Sequence, residues 1–129
     1  MNVTPETISS LLSIVKQANS VIMEIYNTNT AVVEVKADNS PLTQADKASH
    51  RIITKALTEL FPGVPVVSEE GSEEENLANV KQATYWIVDP IDGTQDFIKR
   101  TGEFCIAIGL VDSAKPKFGF VSAPTFDTI

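Results

Sequence analysis

The sequence predicts an α+β protein in which two N-terminal helices pack on a largely antiparallel sheet. Three observations predict it. Ile8, Leu11, Leu12, Val15, Ile22, Ile25 and Tyr26 recur at helical spacing and make one apolar stripe. Ala48, Ile52, Ile53, Ala56, Leu57 and Leu60 make a second. Beyond Gly63 the chain breaks into short apolar runs separated by turn residues. Helix, strand, helix and then strands is the order of a helical layer laid on a sheet.

The first helix starts at Pro5, where a missing N–H is harmless, with Thr4 as its cap. It is expected to fray near Asn27-Thr28-Asn29. The β-branched run from Ala31 to Val35 reads as a strand ending at Lys36. A second helix begins near Thr43 and stops at Phe61-Pro62-Gly63; Thr43-Gln44-Ala45-Asp46 matches a capping box, so Asp46 has a structural use of its own. Lys47, Arg51, Lys55 and Glu59 mark the solvated side of that helix, and His50 reads as a surface or boundary residue one turn beyond Asp46. Strands are expected at Val64–Val67, Tyr85–Val88, Phe104–Val111 and Lys117–Val121, the last two joined by a hairpin turn within Val111–Pro116. The stretch from Glu70 to Lys81, with Glu73-Glu74-Glu75, reads as a solvated loop rather than a metal cage, because adjacent side chains diverge and like charges repel. Ser122 to Ile129 reads as a strand leading into further structure, which points to a fragment of a longer unit.

The 129 residues suffice for one domain with a real core, and 43% hydrophobic against 21% charged residues suits a globular chain. A net charge of −7 argues against nucleic acid or an anionic membrane surface as the main partner. It leaves phosphorylated small molecules open, since a bound cation inverts the local field. A single cysteine, Cys105, forms no intrachain disulfide and suits a reducing cytosol; within its apolar run it reads as core filler. No signal peptide is visible, and no apolar run reaches membrane-spanning length.

The chemistry concentrates in Asp89-Pro90-Ile91-Asp92-Gly93-Thr94, directly after the apolar run Tyr85–Val88. Asp-Gly and Pro are ordinary turn residues, and a turn alone would account for them. Two further acidic segments at element ends change the balance: Ser68-Glu69-Glu70-Gly71, and the lead from Lys36 through Asp38-Asn39-Ser40-Pro41-Leu42 into Asp46. If these converge, Glu69, Asp89, Asp92, the Ile91 carbonyl and the Thr94 hydroxyl offer oxygen ligands for one or two Mg²⁺ ions. Gly93 and Thr94 add backbone N–H groups for phosphate, and the helix after Thr94 turns its first amides the same way. Asp46 acting through Thr94 is a candidate general base. The segment thus proposes metal-assisted phosphate hydrolysis; there is no nucleophilic triad and no P-loop.

Trp86-Ile87-Val88-Asp89-Pro90-Ile91-Asp92-Gly93-Thr94 resembles the signature of the inositol monophosphatase superfamily of Mg²⁺-dependent, lithium-sensitive phosphatases. Lys36–Thr43 and Phe97-Ile98-Lys99-Arg100-Thr101-Gly102-Glu103-Phe104 resemble most its 3'(2'),5'-bisphosphate nucleotidase branch, and the likeness runs from the first helix to Pro124. The resemblance implies the N-terminal half of a layered sugar-phosphatase fold. It implies Glu69 as a metal ligand with Glu70 beside it. Asp89 would bridge two metals, with the Ile91 carbonyl and Thr94 on the first and Asp92 on the second. Asp46 and Thr94 would activate water, and Glu69 with residues Asp89 to Thr94, Ile91 and Gly93 included, would touch the phosphate. The implied reaction converts adenosine 3',5'-bisphosphate to AMP in sulfur metabolism, in the cytoplasm or at the inner face of the membrane.

Members of that superfamily are about twice this long as one globular unit. Their second half carries another metal-binding aspartate, which has no counterpart here, where the only tryptophan is Trp86. Residues 1–129 are therefore expected to be an N-terminal metal-binding domain without its C-terminal partner, weak or inactive alone unless a second copy covers the surface left open. The same residues also admit an inositol or fructose bisphosphate phosphatase, a non-catalytic metal- or phosphate-binding module, and a structural domain whose acidic loops are only turns.

Overall fold

A computed structural model describes residues 1–28, 33–35 and 41–126. Asn29, Ala31, Val32, the Lys36–Ser40 part of the acidic lead, and residues 127–129 lie outside the described residues. The first helix, α1 (Pro5–Thr28), starts where the sequence places it, with the Thr4 hydroxyl accepting from Thr7 N–H at 3.2 Å. Its buried stripe is Leu11, Ile14, Val15, Ala18 and Ile22, whereas Ile8 stays exposed. Strand β1 (Val33–Val35) pairs antiparallel with β2 (Pro41–Thr43), a short strand that the sequence reading left as a lead-in. Helix α2 (Gln44–Leu60) follows at once, and its capping box is present: Thr43 Oγ1 accepts from Asp46 N–H while Asp46 accepts from Thr43 N–H.

Strand β3 (Val66–Ser68), β4 (Thr84–Asp92), β5 (Cys105–Asp112) and β6 (Lys115–Ser122) form one sheet in that order; β3 runs parallel to β4, and the other pairs are antiparallel. The sheet is therefore mixed, with antiparallel pairs in the majority. Where a loop is expected after Glu70, a short helix forms, α3 (Glu73–Asn79). Ser72 caps it by accepting from Glu75 N–H at 3.0 Å, and the acidic run becomes a first turn that complements the helix dipole. The hairpin turn is tighter than expected: Ser113 and Ala114 both take positive φ, 52° and 62°, the geometry that follows strand twist. After Ser122 the chain enters a 3₁₀ turn (Pro124–Phe126) instead of continuing as strand.

The two helices cover one face of the sheet. Trp86, Val88, Ile91, Ile106, Ile108 and Leu110 meet Leu11, Val15, Ile22, Ile53 and Leu57 there, all essentially buried. The short helix α4 (Thr94–Lys99) is held down by Phe97, whose ring lies 5.4 Å from Tyr26 and 5.1 Å from Phe104. On the opposite face of the sheet, Ile87, Ala107, Gly109, Gly119 and Val121 line a concave apolar surface of about 740 Å³ beside Leu77 and Val80. Ile87 is 47% exposed and Val121 56%. No helix among the described residues is long and apolar enough to cross a membrane.

The two faces predict a contrast. Ile108→Ala removes methylenes from a filled core and should cost about 2–5 kcal/mol, whereas Ile87→Ala on the open face should cost well under ~1.5 kcal/mol. Urea unfolding of both variants measures the difference.

Candidate metal and phosphate site

Regular strand geometry would send Asp89 and Asp92 to opposite faces, since side chains alternate. The strand is not regular there. Asp89 pairs with Ala107 and Asp92 with Cys105, so β4 carries one residue more than β5 across this step. The extra residue is a β-bulge, at a proline that has no N–H to give the ladder. Burial follows the slip: Trp86 and Val88 face the core, Ile87 and Asp89 face away, and then Pro90 and Ile91 are both buried while Asp92 is exposed. The bulge thus returns Asp92 to the side of Asp89 and roots Ile91 in the core. The sequence reading ended the strand at Asp89; the bulge extends it to Asp92.

Backbone groups near the bulge find side-chain partners. The Pro90 carbonyl accepts from Ser49 Oγ of α2 at 2.8 Å, and the Ile91 carbonyl accepts from Thr94 Oγ1 at 3.3 Å. Gly93 then turns the chain at φ +91°, where a Cβ would stand 2.8 Å from the Glu103 carbonyl, so only glycine fits. Gly93 serves as the N-cap of α4, and Thr94 is its first residue.

Asp46 is fully buried at the start of α2. Its Oδ2 accepts from Thr43 N–H at 2.9 Å and from the Thr43 hydroxyl, and its Oδ1 accepts from the Thr94 hydroxyl at 2.9 Å. The capping aspartate therefore has both uses that its sequence context suggested: it closes the helix and grips Thr94. Glu69 is exposed on the turn after β3, and its N–H donates to the Val88 carbonyl at 3.0 Å, next to Asp89.

Electrostatics bring these groups together. Asp89 is pushed up to about 6, first by burial and then by the charges of Asp92, Glu69, Glu70 and Asp46. Its Oδ1 is buried without a hydrogen-bond partner. An all-oxygen set around an unpartnered carboxylate oxygen has the chemistry of a hard divalent cation site such as Mg²⁺ requires. The candidate ligands Glu69, Asp89, Asp92, the Ile91 carbonyl and Thr94 fit that group in kind. Among the described residues, no group of three or more acidic, imidazole or thiol side chains is spaced to hold a metal ion, so the fit is one of ligand chemistry. Glu73, Glu74 and Glu75 are exposed on the first turn of α3, in keeping with their reading as a solvated run.

One residue differs from the sequence reading, and one keeps its boundary place but gains a partner. Cys105 is half-buried at the site edge, its Sγ 4.0 Å from Asp92 Oδ2; burial and the charges of Asp92 and Asp89 push its thiol up, which keeps it protonated and unreactive. His50 is not a free surface residue: its Nδ1 lies 2.8 Å from Ser68 Oγ, and burial, with the Arg51 charge second, holds it below its ordinary value and neutral. Helical spacing was the available signal, because Asp46, Ser49, His50 and Ile53 share one face of α2. Spacing puts Ser49 on that face but does not mark its partner, a carbonyl distant in sequence.

Residues 5–129 match the Inositol monophosphatase family. The 3'(2'),5'-bisphosphate nucleotidase CysQ of Escherichia coli K12 is 42% identical over 123 residues, covering 95% of this chain and 50% of that protein. CysQ from Bacteroides thetaiotaomicron superposes with a TM-score of 0.73 at 40% identity, over 90% of this chain and 41% of that one. An IMPase/NADP phosphatase complexed with Mg²⁺ and phosphate gives a TM-score of 0.79 at 27% identity, over 95% and 46%. The chain spans about half the length of the curated relatives it matches.

The raised Asp89 makes stability depend on pH in a definite direction. The folded chain holds the Asp89 proton up to about pH 6, while the unfolded chain releases it in the ordinary carboxylate range near 3.8. Between those values rising pH favours unfolding, and the loss is complete above about 6. In divalent-free buffer Asp89→Asn should therefore be more stable than wild type at pH 7, by about 1–2 kcal/mol once solvent screening is allowed for, and no more stable in strong acid. Unfolding midpoints across the pH range check it.

Proposed function

The chain belongs to the inositol monophosphatase family, and from that premise we propose that it carries the metal- and phosphate-binding half of a Mg²⁺-dependent phosphomonoesterase. Adenosine 3',5'-bisphosphate is the substrate we assign, with AMP and phosphate as products; the 42% identity to a bisphosphate nucleotidase supports that choice over inositol or fructose phosphates. What supports the reading is the buried, unpartnered Asp89 Oδ1 in the field of Asp92, Glu69 and Asp46, together with the bond from Thr94 to Asp46.

In this reading Glu69, Asp89, Asp92, the Ile91 carbonyl and Thr94 hold the cations. Bound Mg²⁺ supplies charge neutralisation at the phosphate oxygens and the leaving oxygen, and acidifies water. The chain's own part is to hold and move a proton. With its one hydrogen nearer Asp46 Oδ1, at 2.9 Å, than the Ile91 carbonyl, at 3.3 Å, the Thr94 hydroxyl keeps lone pairs to accept from an attacking water, and Asp46 receives the proton through it. Thr43 keeps Asp46 in place by donating from both its N–H and its hydroxyl. Gly93, which admits no side chain, leaves backbone open to the phosphate beside Glu69, Asp89 and Thr94.

Residues 1–129 correspond in this reading to the N-terminal domain of a longer enzyme, acting in the cytoplasm or at the inner membrane face. One observation favours a second reading, a binding module without turnover: the open apolar sheet face. A second copy laid on that face is the assembly we would expect.

Phosphate release from adenosine 3',5'-bisphosphate decides between them, with inositol 1-phosphate and AMP as controls. Slow release that needs Mg²⁺, prefers the bisphosphate and disappears in Asp89→Asn is the expected result. Thr94→Val should lower any turnover by roughly 10²–10⁴-fold, the worth of a positioned base. Release that survives Asp89→Asn or omission of Mg²⁺ overturns the phosphatase reading; Mg²⁺ binding without release favours the module.

A further inference from the structure

We propose that Asn76 is a positioning residue, holding the turn that presents Glu69 and Glu70 to the site. Its consequence for cation binding rests on the reading given under Proposed function.

The argument begins at the edge of the sheet. Strand β3 has β4 on one side only, so every second residue, Val66 and Ser68, turns its backbone groups outward. Helix α3 covers that edge with two asparagines one turn apart. Asn76 accepts from Ser68 N–H through Oδ1 at 3.2 Å and donates from Nδ2 to the Ser68 carbonyl at 2.7 Å. Asn79 donates to the Val66 carbonyl at 3.3 Å. A side-chain amide carries one acceptor and paired donors, so Asn76 replaces the neighbouring strand that Ser68 lacks. Helix α3 buries none of its residues, and Leu77 is 58% exposed; these polar bonds, rather than apolar packing, dock it.

Ser68 is also the first residue of the acidic turn. Its carbonyl accepts from Gly71 N–H at 2.9 Å, which makes Glu69 and Glu70 the two central positions. Gly71 belongs to the same fit: a Cβ there would stand 3.1 Å from Asn76 Oδ1 and 3.2 Å from the Ser68 carbonyl. From the other side, His50 Nδ1 meets Ser68 Oγ at 2.8 Å, and Glu70 N–H donates to the same oxygen at 3.4 Å. The turn is thus gripped at its first residue by α3 and by α2. Asn76 supplies the bonds to its backbone, and through them the direction of both carboxylates.

The test compares Asn76→Ala with Asn79→Ala in the full chain. Each loses an asparagine bond to the β3 edge, but only Asn76 touches the turn. Amide hydrogen exchange at Ser68 and Gly71 is read in divalent-free buffer, and Mn²⁺ affinity by titration. Asn76→Ala should speed exchange at both amides and weaken Mn²⁺ binding roughly 10–100-fold, the usual effect of losing a group that orients a ligand. Asn79→Ala should leave Gly71 exchange and Mn²⁺ affinity as in wild type. Gly71→Ala, which pushes a methyl against the clamp, should speed exchange at Ser68, so the test does not hang on one variant. Unchanged exchange at Ser68 and Gly71 in Asn76→Ala, or equal loss of affinity in both asparagine variants, overturns the proposal. A wild type that takes up no Mn²⁺ defeats the cation reading alone, and the exchange comparison then sustains or overturns the clamp.

Discussion

Between Asp89 and Asp92, β4 takes three steps while β5 takes two from Ala107 to Cys105, and the geometry of the site hangs on that mismatch. Without it, alternation would turn Asp92 away from Asp89 and put Ile91 on the open face. With it, Ile91 anchors the segment in the core beneath the helices, and both aspartates stay on the outer side. Pro90 suits the bulge because it has no ladder hydrogen to lose, and its carbonyl is taken up by Ser49 of α2. The bulge is thereby tied to the same helix whose first turn carries Asp46.

The core and the site use opposite logics. On the helix-covered face, Trp86, Val88, Ile106, Ile108 and Leu110 are driven together by burial. At the strand ends, carboxylates are held close against their mutual repulsion, and Asp89 rises to about 6, first through burial and then through these neighbours. Such an arrangement persists only because stiff elements impose it: the capping box at Thr43, the glycine turn at Gly93, the aromatic seat of Phe97, and the edge-clamped turn at Ser68. Strain of this kind is what a bound cation relieves.

Much of the fold was legible in the sequence. Helices α1 and α2 announce themselves by stripe and cap, and the runs that form β5 and β6 match their bounds closely, whereas β4 runs on past its apolar run to Asp92. The misses have physical causes. Helix α3 was read as loop because three adjacent glutamates suggest solvation; a Ser72 cap and a helix dipole make the same charges an N-terminal turn. Strand β2 was missed because three residues beginning with proline carry no periodicity, and pairing with β1 is what makes them a strand.

By itself the sequence determined the composition of the site: oxygen donors from three acidic segments, a glycine where no side chain fits, and a capping aspartate able to serve twice. Those follow from residue type and local spacing, which tertiary contacts do not alter. Only the tertiary structure decided which of these residues share a space. Periodicity describes one element at a time, whereas the Asp46–Thr94 bond, the Asp89–Asp92 alignment and the Asn76–Ser68 clamp each join elements that meet through packing and strand register. A bulge of one residue cannot be read from β4 alone, because it is defined by the strand beside it.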